Sequence, residues 1–113
     1  MKIDYQRRGK MPAEERRLRS HLMQLVHAGG LLRANIIRMA RRCGNSGCRC
    51  ARGKLHVSWY VAQMVKGRRQ MLYVAPPLEV SAREWITRHQ QARRLMERVS
   101  QRYWKRLKDR KGE

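Results

Sequence analysis

Three cysteines and one histidine fall close together in this chain, as Cys43, Cys48, Cys50 and His56. Three thiolates and one imidazole make up a ligand set that structural zinc sites use in tetrahedral geometry. Glycines interrupt the stretch and give its backbone the freedom that wrapping an ion requires. The pattern therefore predicts a zinc knuckle with these four side chains as ligands. Such a site can supply about 10–16 kcal/mol of apparent binding free energy, more than the net stability of many small domains.

Other interpretations of the cysteines stay open. The three are crowded into one segment, unlike the dispersed framework of a secreted disulfide protein. They would otherwise be reduced thiols in a basic loop, or the nucleophile of a thiol enzyme that uses Cys48 or Cys50. His21, His27 and His89 compete for the fourth ligand position, but each lies in a predicted helix, which favours His56.

The charge balance is the second constraint. The chain of 113 residues has 28 Lys and Arg against 8 Asp and Glu, a formal net charge of +20. The acidic residues are too few to pair the basic ones, so a polyanionic partner is expected. No apolar stretch resembles a signal peptide or approaches the roughly 20 residues of a membrane span. We therefore expect a cytoplasmic protein that binds nucleic acid and has no membrane partner.

The first part of the chain is predicted to hold an arm, a helix and a strand. Residues 1–10 are basic and aperiodic, as in a flexible arm. Pro12, with Glu14 and Glu15 near the positive end of the helix dipole, predicts a helix over residues 11–28 that Gly29-Gly30 ends. The next apolar stretch is compatible with a short helix or a strand, and we favour a strand over residues 35–41.

A β-hairpin is predicted after the cysteines. Residues 57–65 and 68–74 are rich in β-branched and aromatic side chains, and Lys66-Gly67 between them suits a tight turn. In that register one face carries Trp59, Val61, Leu72 and Val74, and the other carries Tyr60, Ala62, Met71 and Tyr73. Both faces are apolar, so other parts of the protein are expected to pack against them. Pro76-Pro77 should end the second strand.

The longest periodic segment is predicted to be a helix over residues 82–108. Ser81 and Glu84 have the spacing of a capping box. The apolar stripe consists of Trp85, His89, Ala92, Met96, Val99 and Tyr103, widened by Ile86 and Leu95. Trp104 falls outside the stripe and is expected to turn outward.

Together these elements predict an α+β fold: an N-terminal helix, a zinc knuckle with a small antiparallel β-sheet over residues 35–75, and a long basic C-terminal helix. Residues 11–113 are expected to form a single domain. The residues predicted to contact nucleic acid are the basic ones that lie off the apolar stripes or beside the knuckle and hairpin turn: Arg16, Arg17, Arg19, Arg41, Arg42, Arg49, Arg52, Lys66, Arg68, Arg69, Arg94, Arg98, Arg102, Lys105 and Arg106.

Several of these motifs occur together in a known family. They are Arg42-Cys43-Gly44, the run from Gly47 to Gly53, His56, Trp59-Tyr60, Lys66-Gly67, Tyr73-Val74 with a following proline, and Trp85. The chain resembles, over about residues 34–99, small bacterial and archaeal proteins of unknown function that are often found with mobile elements. The resemblance implies the zinc knuckle and a mobile-element setting. The chain departs from that pattern where Val57-Ser58 replaces a usual Gly-Pro, and in a final helix that is basic where the family's is acidic.

Two functions are compatible with these patterns. The first is a nucleic-acid-binding accessory factor that contacts mainly the phosphate backbone, with DNA slightly favoured over RNA. The second is a protein-interaction adaptor or homodimer that docks through its long helix on a recombinase, transposase, polymerase or RNA-guided enzyme. No clustered carboxylates or Ser/His/Asp arrangement is readable, so we do not expect an enzyme.

Overall fold

The computed structural model describes residues 11–110 and confirms the α+β class. Helix α1 spans Ala13–Ala28, strands β1, β2 and β3 span Asn35–Arg41, His56–Val65 and Arg68–Val74, and helix α2 spans Glu79–Arg110. The predicted arm at 1–10 lies outside the described residues. The described residues divide into two compact units, one comprising residues 11–30 with 88–110, the other Leu31–Thr87. The single domain over 11–113 stays a prediction.

In the first unit, α1 and the later part of α2 form an antiparallel pair. Glu15 near the start of α1 contacts Tyr103, whereas Gly30 beyond its end accepts a 2.7 Å hydrogen bond from Arg88. Leu18 of α1 and Leu95 of α2 are buried. Helix α1 begins directly after Pro12, whose carbonyl accepts a 3.0 Å hydrogen bond from the Arg16 amide. As predicted, the helix ends at the Gly29-Gly30 pair.

A carboxylate is enclosed within this unit. The side chain of Glu15 is fully buried and accepts hydrogen bonds of 2.9 Å from both Arg19 Nε and the Tyr103 hydroxyl. Arg106 approaches it at 3.5 Å and Arg102 at 3.8 Å. Burial acts to raise the pKa of Glu15, but hydrogen bonds from Arg19 and Tyr103 and the charge of Arg106 outweigh it, so the pKa lies below its ordinary value. Glu15 is therefore a charged anchor between the two helices.

In the second unit, the three strands form an antiparallel meander in the order β1-β2-β3. The predicted hairpin is confirmed, with β2 starting one residue earlier than expected. Lys66 and Gly67 have φ of 51° and 76°, as the two central residues of a type I′ turn require. The favoured strand over residues 35–41 is also confirmed, because β1 occupies that range and pairs along the other side of β2.

The register divides the sheet side chains between the two predicted faces. Trp59 pairs with Val74, and Tyr60 pairs with Tyr73. The guanidinium of Arg83, in the first turns of α2, lies 4.2 Å from the Trp59 ring centroid. The Leu32 amide also donates to the Trp85 carbonyl at 3.1 Å. The start of α2 therefore contacts the sheet on its Trp59 face.

Helix α2 differs from its prediction at both ends. It begins at Glu79, three residues before the predicted start, and continues to Arg110, two residues beyond the predicted end. The capping box was wrong, because Ser81 lies inside the first turn. Proline has a φ value suited to a helix start and needs no hydrogen-bond acceptor for an amide there. A 3-10 turn over Pro76–Leu78 therefore leads directly into the helix.

The buried side of α2 is rotated from the predicted stripe. Ala92 is buried as expected, and so are Ile86 and Leu95, which were predicted to widen the stripe, but Trp85, Met96 and Tyr103 are exposed. The buried apolar positions of this helix are Ala82, Ile86, Ala92 and Leu95. Arg102 and Arg106 follow Leu95 at helical spacing and reach Glu15. Charged side chains therefore occupy part of the inward side, which an apolar pattern does not detect. Among the described residues, neither helix has the length and apolar character needed to cross a membrane.

Candidate metal centre and basic surface

The cysteine cluster lies in the loop that joins β1 to β2. Arg41 and His56 form the last paired positions of those two strands, so the loop leaves and re-enters the sheet at adjacent backbone positions. This pairing places His56 at the mouth of a loop that contains all three cysteines. The sheet thus positions one ligand and the two ends of the segment that carries the others.

Two local turns fold the loop back on itself. The Cys48 amide donates to the Asn45 carbonyl at 3.0 Å, and the Asn45 side chain accepts from the Gly47 amide at 3.0 Å. A 3-10 turn over Arg49–Arg52 follows and ends at Gly53, whose φ is 100°. Gly53 lies in the left-handed region that L side chains rarely adopt, which is the conformational freedom expected of these glycines.

The four predicted ligands converge. Their donor atoms all lie within 4.8 Å of one another. Cys48 Sγ is 3.0 Å from His56 Nε2, and Cys50 Sγ is 3.4 Å from Cys43 Sγ. The Cys43 amide donates to Cys50 Sγ at 3.2 Å, as backbone amides do around thiolate ligands. The cluster can hold one metal ion.

This donor set fits zinc better than a hard cation. Zinc bonds of about 2.3 Å to sulfur and about 2.0–2.1 Å to nitrogen give tetrahedral ligand separations of about 3.6–3.8 Å. The observed separations of 3.0 Å, 3.4 Å and up to 4.8 Å lie on both sides of that range. Thiolate and imidazole are the ligands that zinc prefers, whereas magnesium and calcium require oxygen. His21, His27 and His89 are not among the clustered side chains of the described residues.

The basic side chains of the knuckle make no ion pair with a described acidic residue. Arg42, Arg49 and Arg52 are exposed, and none makes a side-chain hydrogen bond or ion pair within residues 11–110. The sequence contains no Asp or Glu between Arg16 and Leu78. In the second unit the acidic residues are Glu79 and Glu84 alone, and Glu79 pairs with Arg83 at 3.2 Å. The positive charge of the knuckle is therefore uncompensated within its unit.

A second group of basic residues lies at the other end of β2, where the hairpin turns. Lys66, Arg68 and Arg69 are exposed at and beside the β2-β3 turn. Arg41 instead lies over an aromatic ring, with its guanidinium 5.8 Å from the centroid of Tyr60. All four were predicted to contact nucleic acid.

The predicted basic residues of the first unit fall into two sets. Arg19, Arg102 and Arg106 are engaged with Glu15, and Arg102 also meets Glu14 at 3.1 Å. The others are exposed and make no ion pair with another described residue: Arg16, Arg17, Arg94, Arg98 and Lys105. Trp104 turns outward as predicted and is 72% exposed. The second set is free to meet an anion, whereas the first also holds the helices together.

Sequence reasoning missed the role of Glu15, which was assigned only to the helix dipole. Its position three residues before Leu18 and seven before Leu22 places it on the apolar stripe of α1. A carboxylate on such a stripe, in a chain with this excess of arginine, is the signal that predicts a buried ion pair.

Fold and site define an α+β protein with a Cys3His cluster in a strand-joining loop. A family model, described as a domain of unknown function (DUF6788), matches residues 5–84. The chain belongs to this family. No curated protein and no solved structure matches the chain. The matched range contains the whole cysteine cluster and the three-stranded sheet.

Proposed function

We propose that the protein is a zinc-stabilised binder of nucleic acid and has no catalytic role. The observation that carries the proposal is the uncompensated charge of the knuckle, where Arg42, Arg49 and Arg52 are exposed and make no ion pair with another described residue. Exposed like charges held on one short loop repel one another, and an anion alongside relieves that repulsion. A phosphate backbone supplies anions at regular spacing and releases counterions when it is neutralised.

Zinc has a structural role in this proposal. Bound to Cys43, Cys48, Cys50 and His56, it would cross-link the loop and hold the arginines in a fixed arrangement. Four protein ligands leave no open coordination position, which is the arrangement of structural sites. The metal thus prepares the surface that binds the polyanion.

The polyanion is proposed to be DNA rather than RNA, as part of a larger nucleoprotein complex. Phosphate contacts are common to both nucleic acids, so the surface charge supports either. The resemblance of the cysteine core to proteins found with mobile elements supports DNA and an accessory role beside a recombination enzyme.

The test is the salt dependence of binding. A labelled DNA duplex and a labelled RNA of the same length are titrated with the zinc-loaded protein across a salt series. The variant combines Arg42→Gln, Arg49→Gln and Arg52→Gln, which remove exposed charges without removing a contact between described residues. If each arginine holds one phosphate, the slope of log affinity against log salt becomes shallower by about 0.7–0.9 for each one.

A matched control removes the same charge elsewhere. Arg93→Gln, Lys108→Gln and Arg110→Gln lower the net charge by the same amount on α2 and should leave the slope nearly unchanged. Equal slopes for the knuckle variant and the native protein would refute binding at the knuckle. Absence of binding to either nucleic acid at low salt would refute the function itself.

A second function, docking on a protein partner or a second copy through α2, is favoured by the apolar side chains that its last turns expose. Trp104 and Leu107 are both highly exposed, and Met96 is half-exposed two turns earlier. Light scattering coupled to size exclusion distinguishes the functions, since an adaptor that self-associates through this helix is a dimer without nucleic acid. A monomer that assembles only when nucleic acid is added supports the first function.

A further inference from the structure

One face of the sheet, here termed the tyrosine face, holds an aromatic pair in a basic setting. Tyr60 and Tyr73 are direct register partners on β2 and β3, with ring centroids 5.8 Å apart and ring planes at 69°. Edge-to-face pairs of this kind are favourable in protein interiors. Tyr73 nevertheless stays 58% exposed, whereas Tyr60 is half-buried. The Tyr73 ring therefore packs against Tyr60 while remaining exposed to solvent.

Arginines flank the rings along the same face. Arg41 lies 5.8 Å from the Tyr60 ring on the side of the knuckle. Arg69 precedes Tyr73 by four residues on β3, an even spacing, so its Cβ shares the face at the hairpin end. The side chains assigned to this face by the register are Asn35, Ile37, Met39, Arg41, His56, Ser58, Tyr60, Ala62, Met64, Arg69, Met71 and Tyr73. None of them is acidic.

An aromatic ring between two cations matches the chemistry of a single-stranded nucleic acid. Its bases are flat and unpaired and its phosphates alternate with them, so rings and guanidinium groups can be used together. In a duplex the bases are stacked on one another, so their rings cannot stack on a tyrosine. A duplex would therefore present mainly its phosphates to this β-sheet. An acidic peptide would satisfy the arginines but leave the ring without a planar partner.

We propose that the tyrosine face binds unpaired nucleotides, with a base stacked on Tyr73 and the neighbouring phosphates held by Arg41 and Arg69. This inference rests on the proposed nucleic-acid function and gives it a preference for single strands. Arg41 is the last residue of β1 and lies beside the knuckle loop. The bound nucleic-acid strand would therefore continue from the tyrosine face towards Arg42. The knuckle supplies charge and the sheet supplies the stacking surface.

The experiment compares a labelled oligothymidine strand with a labelled duplex of equal length, by fluorescence anisotropy with the zinc-loaded protein. Tyr73→Leu should weaken oligothymidine binding about 5- to 150-fold, the range for loss of one stacked base. Duplex binding should change less than about twofold, and Tyr73→Phe should retain single-strand affinity. The matched control is Leu72→Ala, which truncates an exposed neighbour on the opposite face.

A measurement on the unaltered protein guards against misfolding of the variants. Abasic sites in place of the thymines keep the phosphates and remove the stacking partner, so affinity should fall by the same factor as for Tyr73→Leu. Equal binding of abasic and thymine strands would overturn the proposal. The proposal would also be overturned if Tyr73→Leu lowered the affinity for oligothymidine and for the duplex equally. It would be overturned as well if the protein dimerised through β3 and did not bind oligothymidine. If neither nucleic acid binds the native protein, the proposed function itself fails.

Discussion

The hydroxyl of Tyr103 donates a 2.9 Å hydrogen bond to the buried carboxylate of Glu15, joining the end of α2 to the start of α1. Arg19 donates to the same Glu15 oxygen at 2.9 Å. A carboxylate without access to water depends on these donors for its charge. The contact therefore predicts how the helix pair responds to mutation and to pH.

Glu15→Gln should destabilise the protein by about 2–3 kcal/mol. Removing one partner of a fully buried ion pair costs about 3–5 kcal/mol, but here the arginine partners are partly exposed. Urea unfolding followed by circular dichroism measures the loss. Glu14→Gln, in the exposed neighbouring position, is the control and should cost less than about 1 kcal/mol.

The same carboxylate should make stability depend on pH. Because the pKa of folded Glu15 lies below its ordinary value of 4.5, its contribution is complete above that value and is lost as the pH falls through the folded pKa. The native protein should therefore lose more stability than Glu15→Gln as the pH is lowered from 5 through the folded pKa of Glu15. Both have the same Cys3His side chains, so the difference between them isolates Glu15. Parallel losses in the two proteins would contradict the prediction.

The basic residues of α2 should separate into two classes on substitution. Arg94→Ala, Arg98→Ala and Lys105→Ala combined should lower nucleic-acid affinity and leave the melting temperature nearly unchanged, since these side chains are exposed and make no ion pair with another described residue. Arg102→Ala and Arg106→Ala should lower the melting temperature, because both approach Glu15. Calorimetry and anisotropy on the same preparations test both halves.

The metal centre should contain one zinc ion per chain, measurable by elemental analysis. Removing the metal with a chelator should abolish the β-sheet signal in circular dichroism, because metal binding at a structural site is coupled to folding. His56→Ala should weaken zinc binding strongly, whereas His21→Ala should not, since His21 is exposed on α1 and outside the cluster. Equal zinc content and equal resistance to chelation in both variants would rule out His56 as a ligand.

Substitutions at the hairpin turn should change stability according to how well the new residue tolerates a left-handed backbone conformation. Gly67→Ala should cost about 1–2 kcal/mol, because φ there is 76° and a Cβ is strained in that region. Lys66→Asn should stabilise by a few tenths to about 1 kcal/mol, since asparagine tolerates the left-handed region. Gly47→Ala is the comparison, with ordinary φ and its nearest new contact at 3.5 Å. Thermal unfolding ranks the three.

Local chemistry made the ligands and strands predictable from sequence. His56 and the cysteines are near in sequence, so the loop needs only two turns and one strand pairing to assemble them. The Lys66-Gly67 turn fixes the register of β2 and β3, and that register assigned the faces correctly. These features depend on neighbouring residues, which sequence patterns report well.

The errors came from contacts between distant segments. The inward side of α2 is set partly by Glu15, far away in sequence, so an apolar stripe alone placed Met96 and Tyr103 too deeply. The start of α2 is set by Pro76-Pro77, and the capping motif at Ser81 was only a local alternative. Hydrophobic periodicity cannot identify a buried charge or choose between two competing start signals.

The unequal loops of the sheet favour one order of assembly when the complete chain folds. Two residues join β2 to β3, whereas the knuckle segment separates β1 from β2. Closing the longer loop costs more chain entropy, at about 0.6 kcal/mol per doubling of length. The β2-β3 hairpin therefore forms first, within about 1–10 μs, and β1 is added when the cysteines converge. Until then β2 has an open edge, and an unpaired edge strand is the part of a sheet that is most prone to pair with another chain.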